Sequence, residues 1–308
     1  MKVEDIKYQD EVDLTLLVKE LWAKKIYIIA SVFVSSVIFV LYALSLSNIY
    51  KAEAIVVPAE SNTSSSLQGL ASQFGGVAAL AGISLGGSDS FKSDLAIEVM
   101  KSRQFISYFI EKYDILPLVM AAEKWHINSN EITFDEDLYL KSENKWVREV
   151  SLPKKTIPSY VEAHKEFMDI FNVERALDSN TIVVSIEHVS PVIAKQWVDL
   201  LVTEINRKMR ERDIVEAKRN IEYLTEKLET NELVQMEAII YSLLEEQEQN
   251  VMLAEVQPEY VFKVIDPAVV PEKKLKPSRA LICVFGAFLG AFLSITAILI
   301  NFTFRRTV

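Results

Sequence analysis

The residue types that most often do chemistry are scattered along this chain. Its three histidines, His126, His164 and His188, lie far apart, with no HExxH pair and no cysteine ligand beside them. A zinc-hydrolase helix needs two histidines one turn apart on one face, so that class of metal site is not expected. The single cysteine, Cys283, sits inside an uncharged run and cannot close a disulfide within the chain. There is no GxSxG turn to raise a nucleophilic serine, and no GxxxxGK followed by Ser or Thr to cradle a phosphate. Carboxylates are plentiful, in Asp135, Glu136 and Asp137 and again in Glu245, Glu246 and Glu248. A glycosidase needs two of them set across a cleft, and nothing singles out a pair. Such runs read as solvated helix or loop faces. The expectation is a protein that is not an enzyme and holds neither cofactor nor metal.

Two other spacings do carry information, and both lie near the C-terminal end. Pro267, Pro271 and Pro277 punctuate a segment that can be neither continuous helix nor central strand. Gly286 and Gly290 form a GxxxG pair, which lets a second helix approach closely. The pair lies in Ala280–Phe302, an uncharged run that as helix reaches roughly 34 Å, enough to cross a hydrocarbon core of about 30 Å. These glycines are candidates for close packing against another helix within the membrane. Ordinary lipid-facing packing is the alternative.

A second uncharged run, Ile26–Leu46, stands near the other end. Ala43-Leu44-Ser45 faintly resembles a signal-peptide cleavage site, but the apolar run exceeds the usual 7–15 residues of such a signal. Two spans put both termini on one side. Lys24, Lys25, Arg305 and Arg306 flank the spans there, which marks that side as cytoplasmic. Lys273, Lys274, Lys276 and Arg279 crowd the opposite flank, but long loops translocate largely regardless of charge. The expected organisation is a cytoplasmic segment 1–25, a transmembrane helix 26–46, a periplasmic domain 47–278, a second transmembrane helix 279–302 and a cytoplasmic tail 303–308. The net charge of −10 and the absence of a basic stripe argue against nucleic acid as a partner.

The elements between the spans follow from periodicity. Residues 12–22 suit a short amphipathic helix leading into the first span. Tyr50–Val57 alternates as a strand ended by Pro58, and Thr181–Glu187 is a strand by its β-branched content. Between Ser61 and Ser90 lie six of the eight glycines. That stretch, Gly69–Gly87 above all, reads either as a disordered loop or as a segment lying on the membrane or against neighbouring subunits. Ser90–Trp125 reads as helix with a break near Pro117, and Ser159–Phe171 as another. Short strands are expected around Ile132–Phe134 and Lys145–Val150. Ser190-Pro191 starts the longest helical region, about 190–255. Ile214, Ala217, Ile221, Leu224 and Leu228 are spaced as a heptad seam. Leu233, Met236, Ile240 and Leu243 repeat the spacing out of phase. Tyr260–Ile265 reads as a strand that must lie close to the second span, so the helix that leaves the base must return. A hairpin turning within Lys227–Val234 satisfies that. The fold class is an α+β membrane protein: two transmembrane helices flanking a periplasmic α/β base with a long projecting helical hairpin.

With these elements in place, the chain resembles the polysaccharide co-polymerases, or Wzz-type chain-length determinants. DEVDLTLLVKELWAKKIYII is similar to the family's lead into its first span, and MKSRQFISYFIEKYDILP to the helix after its first strand. SIEHVSPVIAKQWVDLLVTEINRKMRERDIVEA resembles its strand-to-long-helix segment, and VIDPAVVPEKKLKPSR its proline-rich C-terminal signature. The resemblance implies a homo-oligomeric ring in a bacterial inner membrane. It would set the modal length of a lipid-linked polysaccharide, typically lipopolysaccharide O-antigen, beside a separate polymerase. Larger relatives carry a tyrosine kinase after the second span. The short tail after Phe302 favours the O-antigen branch, while the Gly-rich stretch departs from the shortest members. An export adaptor for exopolysaccharide, working with a separate kinase or outer-membrane channel, is the alternative. A receptor-like sensor ranks below both, because the short tail offers no cytoplasmic output.

Overall fold

The computed structural model describes residues 21–59, 88–176, 179–230 and 234–307. The chain divides into two compact units, Met1–Asn48 with Leu275–Val308, and Ile49–Lys274. The first unit holds α1 (Lys25–Ser45) and its partner span, the last helix of the chain, at Arg279–Thr307. Both are long and apolar enough to cross a membrane. Their large side chains point outward, with Phe33 69% and Phe288 71% exposed. A core helix of a soluble protein would bury such residues, whereas lipid accepts them.

The second unit is built on a four-stranded antiparallel sheet. Its strands are β1 (Tyr50–Pro58), β6 (Phe171–Arg175), β7 (Ile182–His188) and β8 (Phe262–Asp266), in the order β6-β7-β1-β8. Among the described residues the other strands form two small ribbons: β2 (Ala122–His126) with β3 (Glu131–Phe134), and β4 (Tyr139–Leu140) with β5 (Lys145–Trp146). In β1 the alternation predicted from sequence puts Ala52, Ala54 and Val56 on the buried face. Their register partners Ile186, Val184 and Ile182 on β7 are buried with them. Helices α2 (Ser88–Lys101), α3 (Arg103–Lys112), the short α4 (Leu116–Met120) and α5 (Tyr160–Ile170) join the foot of α6 (Pro191–Thr230) over this face.

Helix α6 is followed by α7 (Val234–Val256), and the two pack antiparallel, Asn220 beside Gln247 and Arg210 beside Gln257. A helical hairpin therefore replaces a single rod. Over residues 214–229 of α6, Ile214, Ala217, Ile221, Leu224 and Leu228 are the buried or half-buried positions, as the heptad spacing predicts. On α7 Ile240 is buried as expected, but the seam continues through Leu244, Gln247, Val251 and Ala254 rather than through Leu243, which is 40% exposed; the side chains of Leu233 and Met236 lie outside the described ones. An isolated Leu-Leu pair gives no phase, and the contact with α6 sets it. The α6 helix reaches Thr230 and α7 starts at Val234, so the residues joining them, 231–233, lie outside the described residues. Residues 12–20 of the helix expected over 12–22, and the Gly-rich stretch Gly69–Gly87, fall outside them as well.

Three local expectations are corrected. Ser90–Trp125 is not one helix with a break but three helices and a strand. Ser102 leaves helical geometry and its Oγ accepts the Phe105 N–H at 3.2 Å, so a cap ends one helix and starts the next. Pro117 sits in the first turn of α4, where its missing N–H costs nothing. Phe171 does not end a helix. It opens β6, whose short alternation, with Phe171 and Val173 inward, is too brief to register as a period. The last strand is shifted to Phe262–Asp266, because Asn206 takes the backbone of Val261 and Phe262.

Candidate functional site

In the membrane unit, Gly286 and Gly290 face α1. A Cβ on Gly286 would lie 2.4 Å from Cγ of Phe39, and one on Gly290 2.7 Å from Cβ of Ser35. No side chain fits at such distances. The opposing helix carries its own small pair one turn apart: Ser35 Oγ donates to the Gly286 carbonyl at 2.6 Å, and Ser31 Oγ to the Gly290 carbonyl at 3.1 Å. Small residues on both helices let backbone meet side chain, and hydroxyls satisfied on a facing carbonyl suit a medium without water. Ser31 and Ser35 stand at SxxxS spacing in the sequence, a small-residue signal of the same kind as GxxxG. The three signature prolines do not converge on a site. Pro267 directly follows β8, Pro271 is half-buried, and the Pro277 carbonyl accepts the Arg279 N–H at 3.0 Å.

In the second unit two polar arrangements fix the foot of the hairpin. The first is Glu204, 3% exposed on α6. It accepts from Lys112 Nζ at 2.6 Å, Tyr113 Oη at 2.7 Å, Tyr108 Oη at 3.2 Å and Arg207 Nη2 at 2.7 Å. Burial works against its charge, but the bonds from Lys112, Arg207 and Tyr113 win and hold its carboxyl at about 2. The second is Asn206, whose amide oxygen accepts the Val261 and Phe262 N–H groups, both at 2.8 Å, while its Nδ2 donates to the Phe262 carbonyl at 2.9 Å. One side chain thereby pins the returning strand to the outgoing helix. Neither arrangement shows in a periodicity, because both partners are distant in sequence.

Between the flanks of α6, α7 and the start of α2 lies a groove of about 390 Å³. Ala217 and Ala254, both buried, form its floor, and their small size lets the two helices close up beneath it. One wall is already bonded internally. Asp213 accepts from Lys92 at 2.9 Å and Tyr260 at 2.8 Å, and the Lys92 ammonium sits 3.8 Å above the Tyr260 ring. Burial first, and then the Asp213 bond, raises the Tyr260 hydroxyl above its ordinary range, so it stays a donor.

The histidines stay apart. His188 is buried, donates from Nε2 to the Leu118 carbonyl at 3.2 Å and accepts the Ser190 N–H on Nδ1 at 3.0 Å. Burial lowers its pKa to about 4, against weaker opposing contributions from those backbone bonds. His164 Nε2 lies 2.9 Å from the Lys101 carbonyl. Among the described residues no group of three or more His, Cys, Asp or Glu is placed to hold a metal ion.

Two apolar terminal helices around an α/β unit with a long antiparallel helical hairpin define a class of two-span membrane proteins with a large domain between the spans. Residues 10–113 match the Wzz family model, described as "Chain length determinant protein". The N-terminal third of the chain is thus similar to the chain-length determinants of polysaccharide synthesis. Residues 225–302, which hold the prolines and both glycines, match a second model, "G-rich domain on putative tyrosine kinase". Among solved structures the chain is similar to a full-length bacterial polysaccharide co-polymerase, at 14% identity and a TM-score of 0.39, covering 96% of this chain and 99% of that one. It is also similar to a fragment of WzzB, a polysaccharide co-polymerase from Salmonella Typhimurium, at 14% identity and a TM-score of 0.34, covering 74% of this chain and 100% of that one. Among curated proteins, none matches this sequence.

Proposed function

We propose that this protein regulates the chain length of a lipid-linked polysaccharide, setting the modal length of O-antigen made by a separate membrane polymerase. The observation that carries the reading is the match of residues 10–113 to the chain length determinant family. The role is regulatory rather than catalytic. Copies of the chain assemble side by side in a bacterial inner membrane, with both termini cytoplasmic and the central unit periplasmic. The polymerase and the growing lipid-linked glycan are the partners. Polymer length is then a property of how long the two stay engaged.

A second reading rests on a specific observation. The match of residues 225–302 to a domain found on tyrosine kinases favours an adaptor for exopolysaccharide polymerisation and export, working with a kinase or an outer-membrane channel. One pair of measurements separates the two. Lipopolysaccharide from cells with and without the gene is resolved on a gel, and secreted polysaccharide is weighed. Collapse of a preferred length into a featureless ladder supports the first reading. An unchanged ladder with reduced or shortened secreted polymer supports the second. No change in either refutes both.

A further inference from the structure

We infer that the groove at the foot of the helical hairpin binds a short stretch of neutral polysaccharide. The inference rests on the reading that the protein engages a growing glycan, and it names where. Its charges balance, Lys92 and Arg212 against Asp213 and Glu216, so it offers no net attraction to a strong anion or cation. That balance argues against a nucleotide, a phosphate or a polyamine.

What the groove does offer is unspent hydrogen-bonding capacity. Among the described residues, the side chains of Glu216, Asn250 and Gln257 line the groove and make no hydrogen bond or ion pair within the chain. An amide presents a donor and an acceptor side by side, which matches the vicinal hydroxyls of a sugar, each of them donor and acceptor. The opposite wall is rigid, because Lys92, Asp213 and Tyr260 already hold one another. Such preorganisation leaves little ordering cost for a ligand. At the mouth Phe91 is 71% exposed, on a helix whose other aromatic and aliphatic residues go to the core. An exposed ring beside polar side chains gives the C–H face of a pyranose an apolar surface. The volume of about 390 Å³ falls within the roughly 300–1,000 Å³ usual for ligand sites.

The test uses the full chain in lipid nanodiscs. The probe is a set of oligosaccharides released by mild acid from the polysaccharide of the same cells. Saturation-transfer NMR reads binding, and the gel reads polymer length in cells. Native protein transfers saturation to sugar ring protons. Phe91→Ala and Asn250→Ala each weaken binding about fivefold or more, the equivalent of one lost contact, and shift the modal length. Glu143→Ala, in an exposed turn, does neither. Both groove variants keep the native melting temperature, because neither side chain is in the core. Absence of transfer, or transfer that survives both variants, overturns the groove assignment while leaving the regulatory reading standing. If deleting the whole gene leaves every polymer unchanged, the regulatory reading fails instead. Stronger transfer to a polyuronate than to the neutral set overturns the assignment of ligand class.

Discussion

Asn206→Leu tests what holds the hairpin to its base. The native amide satisfies two backbone N–H groups and one carbonyl, those of Val261 and Phe262, at 2.8, 2.8 and 2.9 Å. Val261 and Phe262 are 3% and 0% exposed, so water does not replace the lost partner. An orphaned buried polar group costs about 1–3 kcal/mol, hence roughly 3–9 kcal/mol for three. Burying the leucine returns about 1–3 kcal/mol. The mid-range net loss is about 4 kcal/mol, about 6 lost against about 2 returned, a large share of the roughly 5–15 kcal/mol that holds a typical domain together. In a unit of this size that lowers Tm by roughly 10 °C or more. Thermal unfolding of the full chain in detergent measures it, and hydrogen exchange locates it in the peptide spanning 259–266. Asn220→Ala is the control. It is the same residue type on the same helix, but exposed, with a bond of 3.4 Å to Gln247, and it should cost less than about 0.5 kcal/mol. Equal effects from the two variants, or unchanged exchange at 259–266 in Asn206→Leu, would refute the reasoning.

Two further predictions concern the spans and pH. Gly286→Leu cannot fit against Phe39, so nitroxide labels at Leu46 and Ala280 should move apart by several ångströms in nanodiscs, and an unchanged distance would remove this packing role. His188 is held neutral in the fold at about 4, against 6.5 when unfolded. The unfolded chain therefore binds the proton first, and the stability that neutral His188 provides is lost as pH falls from about 6.5 to about 4. Between pH 7 and pH 5 this amounts to about 2 kcal/mol, read as a Tm shift that disappears in His188→Gln. A variant with the native pH dependence would show that another group carries it.

Much of the architecture is legible without coordinates, because its causes are local. Uncharged runs of membrane length, β-branched alternation at Thr181–Glu187, and a serine–proline start to the long helix each follow from one stretch of chain. The return of the helix could be argued as well, since a strand tied closely to the second span forces it. The candidate site was legible only in part. The GxxxG pair stood out, but its partner pair Ser31 and Ser35 lies some 250 residues away, and nothing in either segment names the other. Asn206, Glu204 and the groove residues carry no spacing at all. Asparagine and glutamate on a long polar helix look like solvated surface until another element covers them.

The sequence by itself determined where the chain is apolar, where it is helical and how long each run is, because those properties depend on neighbours within a turn or two. Only the tertiary structure decided the phase of α7 against α6, the fourth strand at Phe171–Arg175, and which polar side chains are buried and paired. Those depend on contacts between residues far apart in the chain, and a buried carboxylate such as Glu204 becomes favourable only once Lys112, Tyr113 and Arg207 surround it.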